Sequence, residues 1–368
     1  MTMPLHSNIS FRSLWRLAFS LFAAVACAPS HATEPPQQFA QLGDLKLEDQ
    51  RVIEHCALGY RTIGTLNATR SNAILFIPWH TGTSAAALSM VGPKKLLDPA
   101  NYFVIIVDPI SNGVSCSPSN SATQHGKAFP AFTVRDMVDA EYKLVVEHLG
   151  IDHLHAIVGY SLGGMQTFQW IVSHPDFVDV AIPIAGTPRL SSYDLLLQRT
   201  LEKAILTDPD YANGDYKRNP AVPLFQLIFE LNFTTPANRV AKTTPDEFEA
   251  FLRETTAEPD ADTPDVNDSL WQMRAAMGQD IGVVVQQTDG KRRSLELAAK
   301  TVRARVHVIY ARQDHFVNPI SSIAFAKLIH ADTTELKGDC GHVAARCEPD
   351  VARAAVKRAL GAVRKAMP

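Results

Sequence analysis

The residues best suited to nucleophilic chemistry surround Ser161. Residues 159–163 read Gly-Tyr-Ser-Leu-Gly, a G-x-S-x-G motif that lies between a strand pattern and a helix pattern. In such a tight turn the glycines lack the Cβ atoms that would clash, and the helix N-terminus favours negative charge near the serine oxygen. We therefore predict that Ser161 is a nucleophile that forms an acyl-enzyme. The alternative is a bystander serine in a glycine-rich turn.

A serine nucleophile requires a base and an acid that orients the base, and two later loops supply both. Asp314 follows the apolar run 306–310, at the carboxyl end of a predicted strand. His342 lies in a glycine-bounded loop after the strand-like residues 333–336. Ser161, Asp314 and His342 follow one another in the order that accompanies a G-x-S-x-G serine. The sequence therefore predicts these three residues as a catalytic triad.

Other acids and histidines compete for the two supporting roles. Asp339 is an alternative acid, although it is too close in sequence to His342 to reach it from the preceding strand. His315 and His125 are alternative bases. A structural interpretation also exists, in which Asp314 caps a helix and His342 belongs to a C-cap or to the core.

The negative charge that develops during acyl transfer needs two backbone N–H donors. One is the N–H of Leu162, the residue after the nucleophile. The loop 77–83, which follows a predicted strand, supplies the other through His80 or Thr81. Trp79 and His80 have the alternative role of lining the pocket for the acyl group.

Short apolar runs predict the strands that position these loops: 73–77, 102–107, 154–158, 180–184 and 306–310. Their apolar character is continuous rather than alternating, which is typical of strands buried on both faces of a parallel sheet. Residues 134–149 and 165–173 have the apolar spacing of helices. The fold class predicted is α/β, with a mostly parallel sheet covered on both faces.

Residues 189–295 interrupt this alternation with long helical patterns, such as 193–206 and 270–277, and with a segment rich in Pro and Asp. Because the strand pattern resumes at Val306, we interpret this stretch as a helical cap inserted into the sheet domain. A separate domain is the alternative. The predicted core then comprises residues 33–188 and 296–368.

Residues 1–32 resemble a signal peptide. Arginines precede the apolar run 17–28, which is too short to span a bilayer, and Ser30-His31-Ala32 offers a cleavage site with small residues at the key positions. We expect a periplasmic or secreted protein. Anchoring as a lipoprotein at Cys27 is a less favoured alternative, because Ala24 stands where Leu is expected. A buried helix or a cytosolic extension is the structural alternative.

Composition excludes several classes of function. Lys and Arg total 35 and Asp and Glu total 38, so the net charge of −3 gives no electrostatic basis for nucleic-acid binding. No CxxC, HExxH or EF-hand pattern occurs, so we predict neither a metal nor another cofactor. No later run is long enough for a membrane span. The expected partner is a small-molecule ester or acyl substrate, and a homodimer is left open.

Cleavage of the leader would leave Cys56, Cys116, Cys340 and Cys347. Four cysteines allow three complete pairings, and an exported protein meets an oxidising compartment. We predict a bond between Cys340 and Cys347, because it would close a short loop that contains His342. Four free and mostly buried thiols are the alternative.

The chain resembles the homoserine O-acetyltransferase-like branch of the α/β-hydrolases. The similar stretches are 112–120, with the pattern N-G-x-S-x-S-P-S-N, the nucleophile segment 158–166, and the start of the cap at 204–216. The resemblance extends from about residue 45 to 360 and implies the α/β-hydrolase fold. It also implies that Ser161, Asp314 and His342 are the triad.

Departures from that branch change the expected acceptor. The biosynthetic enzymes carry an H-A-L-T-G-type loop where this chain has Trp79-His80-Thr81-Gly82, and residues 217–264 have lost most of the family pattern. An exported copy would also lack cytosolic acetyl-CoA. We therefore expect an esterase that uses water, with O-acetyl transfer as the alternative. A non-catalytic binding protein and a C–C hydrolase, haloperoxidase or lyase on the same fold are further alternatives.

Overall fold

The computed structural model describes residues 34–283 and 294–361. The predicted signal peptide 1–32, including Cys27, lies outside these residues, as do residues 284–293 of the predicted cap and residues 362–368. The described residues from Pro35 onward form one compact unit, in which the inserted helices pack with the sheet. No helix among the described residues is long and apolar enough to cross a membrane.

The described residues form one sheet of eight strands in the order β1-β2-β4-β3-β5-β6-β7-β8. The strands are β1 Gln38–Lys46, β2 Val52–Ile63, β3 Ala73–Ile77, β4 Phe103–Val107, β5 Leu154–Tyr160, β6 Val178–Ile184, β7 Arg305–Ala311 and β8 Asp332–Leu336. β1 pairs antiparallel with β2 and β2 with β4, while every later pairing is parallel. The prediction of a mostly parallel sheet is confirmed.

Alternate residues of the central strands enter different cores, which shows that both faces of the sheet are covered. Leu75 and Ile77 of β3 pack in one buried cluster, whereas Ile74 and Phe76 pack in another. All five residues of β3 are buried, which explains the continuous apolar run in the sequence. Each predicted run is a strand, with bounds shifted by at most two residues at either end.

Twelve α-helices flank the sheet in the described part of the chain. They are α1 Ser84–Ala87, α2 Val134–Lys143, α3 Leu162–Ser173, α4 Ser192–Thr207, α5 Pro223–Phe233, α6 Pro236–Lys242, α7 Phe248–Thr255, α8 Val266–Met277, α9 Leu295–Thr301, α10 Ile320–Leu328, α11 Ala344–Cys347 and α12 Pro349–Gly361. The helix expected over 134–149 is α2 followed by a π turn over Leu144–His148. Helix α3 begins directly after Ser161 rather than at Met165.

The segment between β6 and β7 contains α4 to α9 and, among its described residues, no strand. Helices α5 and α8 of this cap contribute residues to the cavity above the carboxyl ends of the parallel strands. The cap is thus placed over the edge of the sheet where an α/β fold builds its site.

Two disulfide bonds hold loops near this edge. Cys340 and Cys347 are bonded, as predicted, across a sequence separation of 7 residues. Cys56 of β2 is bonded to Cys116 in the loop after β4, across a separation of 60 residues. The sequence did not indicate a partner for either Cys56 or Cys116.

Candidate active site

Ser161 occupies a strained turn between β5 and α3. Its φ of 57° and ψ of −113° place it outside the regions that non-glycine residues normally adopt. A Cβ at Gly159 would overlap the carbonyl of Gly163, and a Cβ at Gly163 would overlap the carbonyl of Ile77. The two glycines of the motif are therefore required so that α3 can pack against β3 while the serine projects from the turn.

The structure brings together the three residues predicted as a triad. The Ser161 Oγ lies 2.7 Å from the His342 Nε2, and the His342 Nδ1 lies 2.7 Å from the Asp314 Oδ2. Ser161 is 5% exposed, while Asp314 and His342 are each 2% exposed. This chain of hydrogen bonds allows the Ser161 hydroxyl to donate to the imidazole while the imidazole donates to the carboxylate.

Backbone amides fix the carboxylate of Asp314. Its Oδ1 accepts hydrogen bonds from the N–H of Phe316 at 2.9 Å and of Val317 at 2.8 Å. The other oxygen is therefore left to accept from His342. The same loop is tied to the cap, because the N–H of Asn318 donates to Asp194 of α4 at 2.8 Å.

The loop that carries His342 is held from three sides. The carbonyl oxygen of His342 accepts a hydrogen bond from the Tyr160 hydroxyl at 3.0 Å. Its imidazole packs against Phe233 and Phe316, with ring centroids 5.4 and 5.2 Å away. The bond between Cys340 and Cys347 closes the loop covalently. These contacts restrict the imidazole to the orientation that reaches both the serine and the acid.

The competing acid and bases lie elsewhere. The carbonyl of Asp339 accepts a hydrogen bond from Thr235, whereas Asp314 is the acid that accepts a hydrogen bond from the His342 Nδ1 among the described residues. His315 and His125 are exposed and line neither cavity next to the serine. The structure therefore does not bring these three residues to Ser161.

The loop after β3 contains the two residues proposed as the second oxyanion donor, and the structure separates them. The N–H of Thr81 donates to the Oε1 of Gln272 at 2.6 Å, so it is already engaged. The N–H of His80 has no acceptor among the described residues. The N–H of Leu162, the first residue of α3, has no acceptor within its own helix. His80 and Leu162 are thus the pair of amides left to bind an oxyanion.

Helix α8 of the cap supports this loop. The His80 Nε2 lies 2.8 Å from the carbonyl of Ser269, and burial lowers the pKa of His80, so its neutral ring donates this bond. Gln272, one turn later, accepts from Thr81 and donates to the carbonyl of Ile110 at 2.8 Å. Gln272 is fully buried. Its two hydrogen bonds join α8 of the cap to the loop after β3 and to the loop after β4.

A further contact fixes α8 to the loop that carries the N-G-x-S-x-S-P-S-N pattern. The carboxylate of Asp268 accepts the N–H of Ser119 at 2.9 Å and its hydroxyl at 2.6 Å. Burial raises the pKa of Asp268 to about 7, against these two hydrogen bonds, which lower it. The serine-rich loop is therefore a docking point for the cap rather than part of the triad.

Two cavities open at Ser161. The larger, about 290 Å³, is lined by Trp79, His80, Thr81 and Tyr160 and by aromatic residues of α5. The smaller, about 30 Å³, lies beside Leu162 and is lined mainly by apolar side chains from α3, α4, α5 and α8. The small space admits a group of one or two carbon atoms. The site therefore has a short apolar recess and a roomier compartment, and both are lined by the nucleophile.

Sequence reasoning missed three residues at this site: Tyr160, Gln272 and Arg346. Tyr160 lies within the motif and was passed over as its variable position. Gln272 and Arg346 lie on helical segments with no recognisable motif. Only the folding of the cap brings Gln272 to Thr81, and only the folding of the 340–347 loop brings Arg346 to the cavity at Ser161.

Comparison with known proteins agrees with this geometry. The alpha/beta hydrolase fold family matches residues 91–345. The ethyl acetate hydrolase of Pseudomonas veronii is 41% identical over 189 residues, which are 51% of this chain and 54% of that protein. The homoserine O-acetyltransferase of Geotalea daltonii is 36% identical over 221 residues, which are 54% of this chain and 59% of that protein. The chain thus spans little more than half the length of the curated relatives it matches.

The likeness extends further in three dimensions. The solved structure of an acetylester hydrolase from Corynebacterium glutamicum is 27% identical, with a TM-score of 0.79, over 88% of this chain and 96% of that chain. The resemblance to the homoserine O-acetyltransferase-like branch is confirmed by these similarities. Because the family match covers more than half of its residues, the chain belongs to the α/β-hydrolase fold family.

Proposed function

We propose that the protein is an esterase in which Ser161 is acylated by a small ester and then deacylated by water. The observation that carries this proposal is the unbroken chain of hydrogen bonds from Ser161 through His342 to Asp314, with both distances 2.7 Å, at the floor of an apolar cavity. A serine with this support becomes a nucleophile without any cofactor.

We propose the following role for each group. His342 accepts the Ser161 proton as Oγ attacks the ester carbonyl, and Asp314 stabilises the imidazolium that forms. The N–H groups of His80 and Leu162 stabilise the oxyanion. His342 then protonates the leaving alcohol, and in the second half it activates the water that releases the acid.

The cavities favour a short acyl group. The recess of about 30 Å³ beside Leu162 accommodates the methyl of an acetyl group but not a long chain. Two relatives point the same way, since one is named an ethyl acetate hydrolase and one solved neighbour an acetylester hydrolase. We therefore propose acetyl and propionyl esters as substrates.

An O-acyltransferase is the second candidate, supported by the similarity to homoserine O-acetyltransferases. The acyl-enzyme is common to both reactions, and only the second nucleophile differs. The decisive experiment follows 4-nitrophenyl esters of increasing acyl length, with and without homoserine, and analyses the products. Hydrolysis that is unchanged by homoserine and strongest for acetyl supports the esterase. Quantitative formation of an acetylated acceptor supports the transferase, and no turnover of any ester contradicts both.

We also propose that the protein is exported. The N-terminal pattern over 1–32 supports this, and so does the presence of two disulfide bonds, which persist in oxidising compartments. Fractionation of cells that express the full chain tests it. Recovery in the periplasm or medium, shortened by the leader, is expected, whereas a full-length cytosolic protein contradicts it.

A further inference from the structure

The larger cavity contains one fixed positive charge and no opposing carboxylate. Among its described lining residues, Arg346 is the single Arg or Lys, and none is Asp or Glu. The rest of the wall is mainly aromatic and aliphatic, so a charge on a ligand would meet little other compensation there. A negatively charged group bound in this cavity would therefore find its compensating charge at Arg346.

Arg346 is positioned rather than loose. Its guanidinium carbon lies 4.9 Å from the centre of the Trp79 ring, a cation–π contact that orients the fork. Arg346 also lies within the disulfide-closed loop 340–347, which carries His342. Burial raises the pKa of Tyr160, the residue before the nucleophile, and the charge of Arg346 acts in the opposite direction. The guanidinium is thus electrostatically close to the reacting centre.

The guanidinium is also free to bind a ligand. Arg346 is exposed and has no carboxylate within ion-pair distance in the described part of the chain. A planar guanidinium matches a carboxylate through two parallel hydrogen bonds. One guanidinium balances one negative charge, which favours a monocarboxylate over a phosphate dianion.

Building on the proposed esterase function, we propose that Arg346 binds a carboxylate on the alcohol portion of the substrate, which makes the preferred substrate a short-chain ester of a hydroxy acid. The assignment to the alcohol side follows from the two cavities. Arg346 lines the larger cavity but not the recess beside Leu162, which receives the acyl group.

The same wall discriminates against amino-acid esters. An ammonium group beside the carboxylate would need an acidic partner, and the described lining supplies none. Burying that charge without a partner is costly. The inferred substrate therefore carries the carboxylate alone, which separates it from an ester of homoserine.

Two lysines near the larger cavity add positive charge that would attract a carboxylate from solvent. Lys94 and Lys95 line an open groove that shares Trp79 and Arg346 with the larger cavity. Lys95 is engaged by the carbonyl of Leu88 at 2.9 Å. Lys94 carries the same formal charge as Arg346 but lies outside the cavity at Ser161, which makes it a matched control.

The test uses three acetates of equal chain length: 4-acetoxybutanoate, its neutral amide 4-acetoxybutanamide, and the zwitterionic 2-amino-4-acetoxybutanoate. Acetate release gives kcat/KM for each. We expect the wild type to prefer the carboxylate over the other two. Arg346→Met keeps the stem over Trp79 and should lower kcat/KM for the carboxylate about 10- to 100-fold, with less than about a twofold change for the amide.

Two further variants separate a specific contact from general attraction. Arg346→Lys retains the charge without the fork and should fall between the wild type and Arg346→Met. Lys94→Gln should cause only a small loss that disappears at high salt. Equal losses for Lys94→Gln and Arg346→Met, or equal losses on the charged and neutral substrates, would overturn the inference.

Binding is measured separately from turnover with two amides that cannot be hydrolysed readily, 4-acetamidobutanoate and 4-acetamidobutanamide. Calorimetry should show tighter binding of the carboxylate to the wild type, and loss of that difference in Arg346→Met. The proposed function fails if none of the three acetate esters is hydrolysed. This inference fails if 4-acetamidobutanoate and 4-acetamidobutanamide bind equally well to the wild type.

Discussion

The N–H of Thr81 donates to the side chain of Gln272 at 2.6 Å, across a sequence separation of 191 residues. Thr81 has a φ of 54°, a conformation that a threonine rarely adopts without support. The bond therefore supports the loop after β3, in which the N–H of His80 has no acceptor among the described residues. We therefore propose that a residue of the cap positions the His80 amide that would bind the oxyanion.

Replacement of Gln272 by Met should lower kcat for acetyl esters about 10- to 100-fold with little change in KM. The reason is that a misplaced oxyanion donor acts on the transition state, where one such donor contributes about 10²- to 10³-fold. Steady-state kinetics checks this. Gln279→Met is the control, because Gln279 is a buried cap residue that bonds to the carbonyl of Met165 instead. Equal losses in both variants would contradict the specific role of Gln272.

Ser161→Ala should abolish hydrolysis, with a loss on the order of 10⁴- to 10⁶-fold in kcat, and leave the melting temperature nearly unchanged. The substitution removes the attacking oxygen but keeps the backbone turn. A fluorophosphonate should label the wild type at Ser161 and fail to label the variant, as shown by peptide mapping. Wild-type-like activity in the variant, or labelling at another serine, would refute the mechanism.

Asp314→Asn should reduce kcat about 10⁴-fold in a folded protein, because an amide no longer holds the imidazole in the tautomer that accepts the serine proton. Asp339→Asn should retain activity within about twofold. Circular dichroism establishes that both variants fold. If the two variants exchange these effects, Asp339 rather than Asp314 is the orienting acid.

The ionisation of Glu141 should make the free energy of unfolding depend on pH. Glu141 is fully buried on α2, accepts one hydrogen bond from the Trp170 Nε1 at 2.7 Å, and burial raises its pKa from 4.5 to about 8. Between these pH values the folded protein holds a proton that the unfolded chain has released. The contribution of Glu141 to the free energy of unfolding therefore falls as pH rises from 4.5 to about 8.

Glu141→Gln should remove this slope. The variant should match the wild type near pH 4.5 and exceed it above pH 8 by roughly 3–5 kcal/mol, from 1.36 kcal/mol per pKa unit. Urea unfolding at several pH values measures the difference. The exposed Glu147 supplies the control, since Glu147→Gln should leave the slope intact. A variant that is equally destabilised at every pH would show that packing, not ionisation, governs this site.

Removal of each disulfide bond should have a different effect on stability and on kcat. Loop entropy predicts a stabilisation of about 4.3 kcal/mol for Cys56–Cys116 and only about 2.5 kcal/mol for Cys340–Cys347. Replacing Cys340 and Cys347 by Ala should nevertheless lower kcat more, because that bond closes the loop of His342. Thermal unfolding and kinetics of the two double variants check both orders. The idea fails if loss of the Cys56–Cys116 bond impairs kcat more strongly.

The sequence predicted those parts of the site that local geometry dictates. The turn at Ser161 requires its own glycines, and the acid and the histidine follow strands whose apolar runs are visible. The sequence analysis did not predict the edge strand β1 or its neighbour β2, since both mix exposed and buried residues and carry many polar side chains. The roles of Gln272 and Arg346 depend on contacts between distant segments, which no local pattern records. The choice between His80 and Thr81 likewise required knowing which amide Gln272 engages.

The attachment of α8 to the loop after β3 couples the position of the cap to the proposed oxyanion site. Any swing of the whole cap would pull Gln272 from Thr81 and Asp268 from Ser119, so the open state would lack an organised oxyanion site. We therefore expect that transplanting the whole cap between relatives would alter the rate of chemistry as well as the choice of ester.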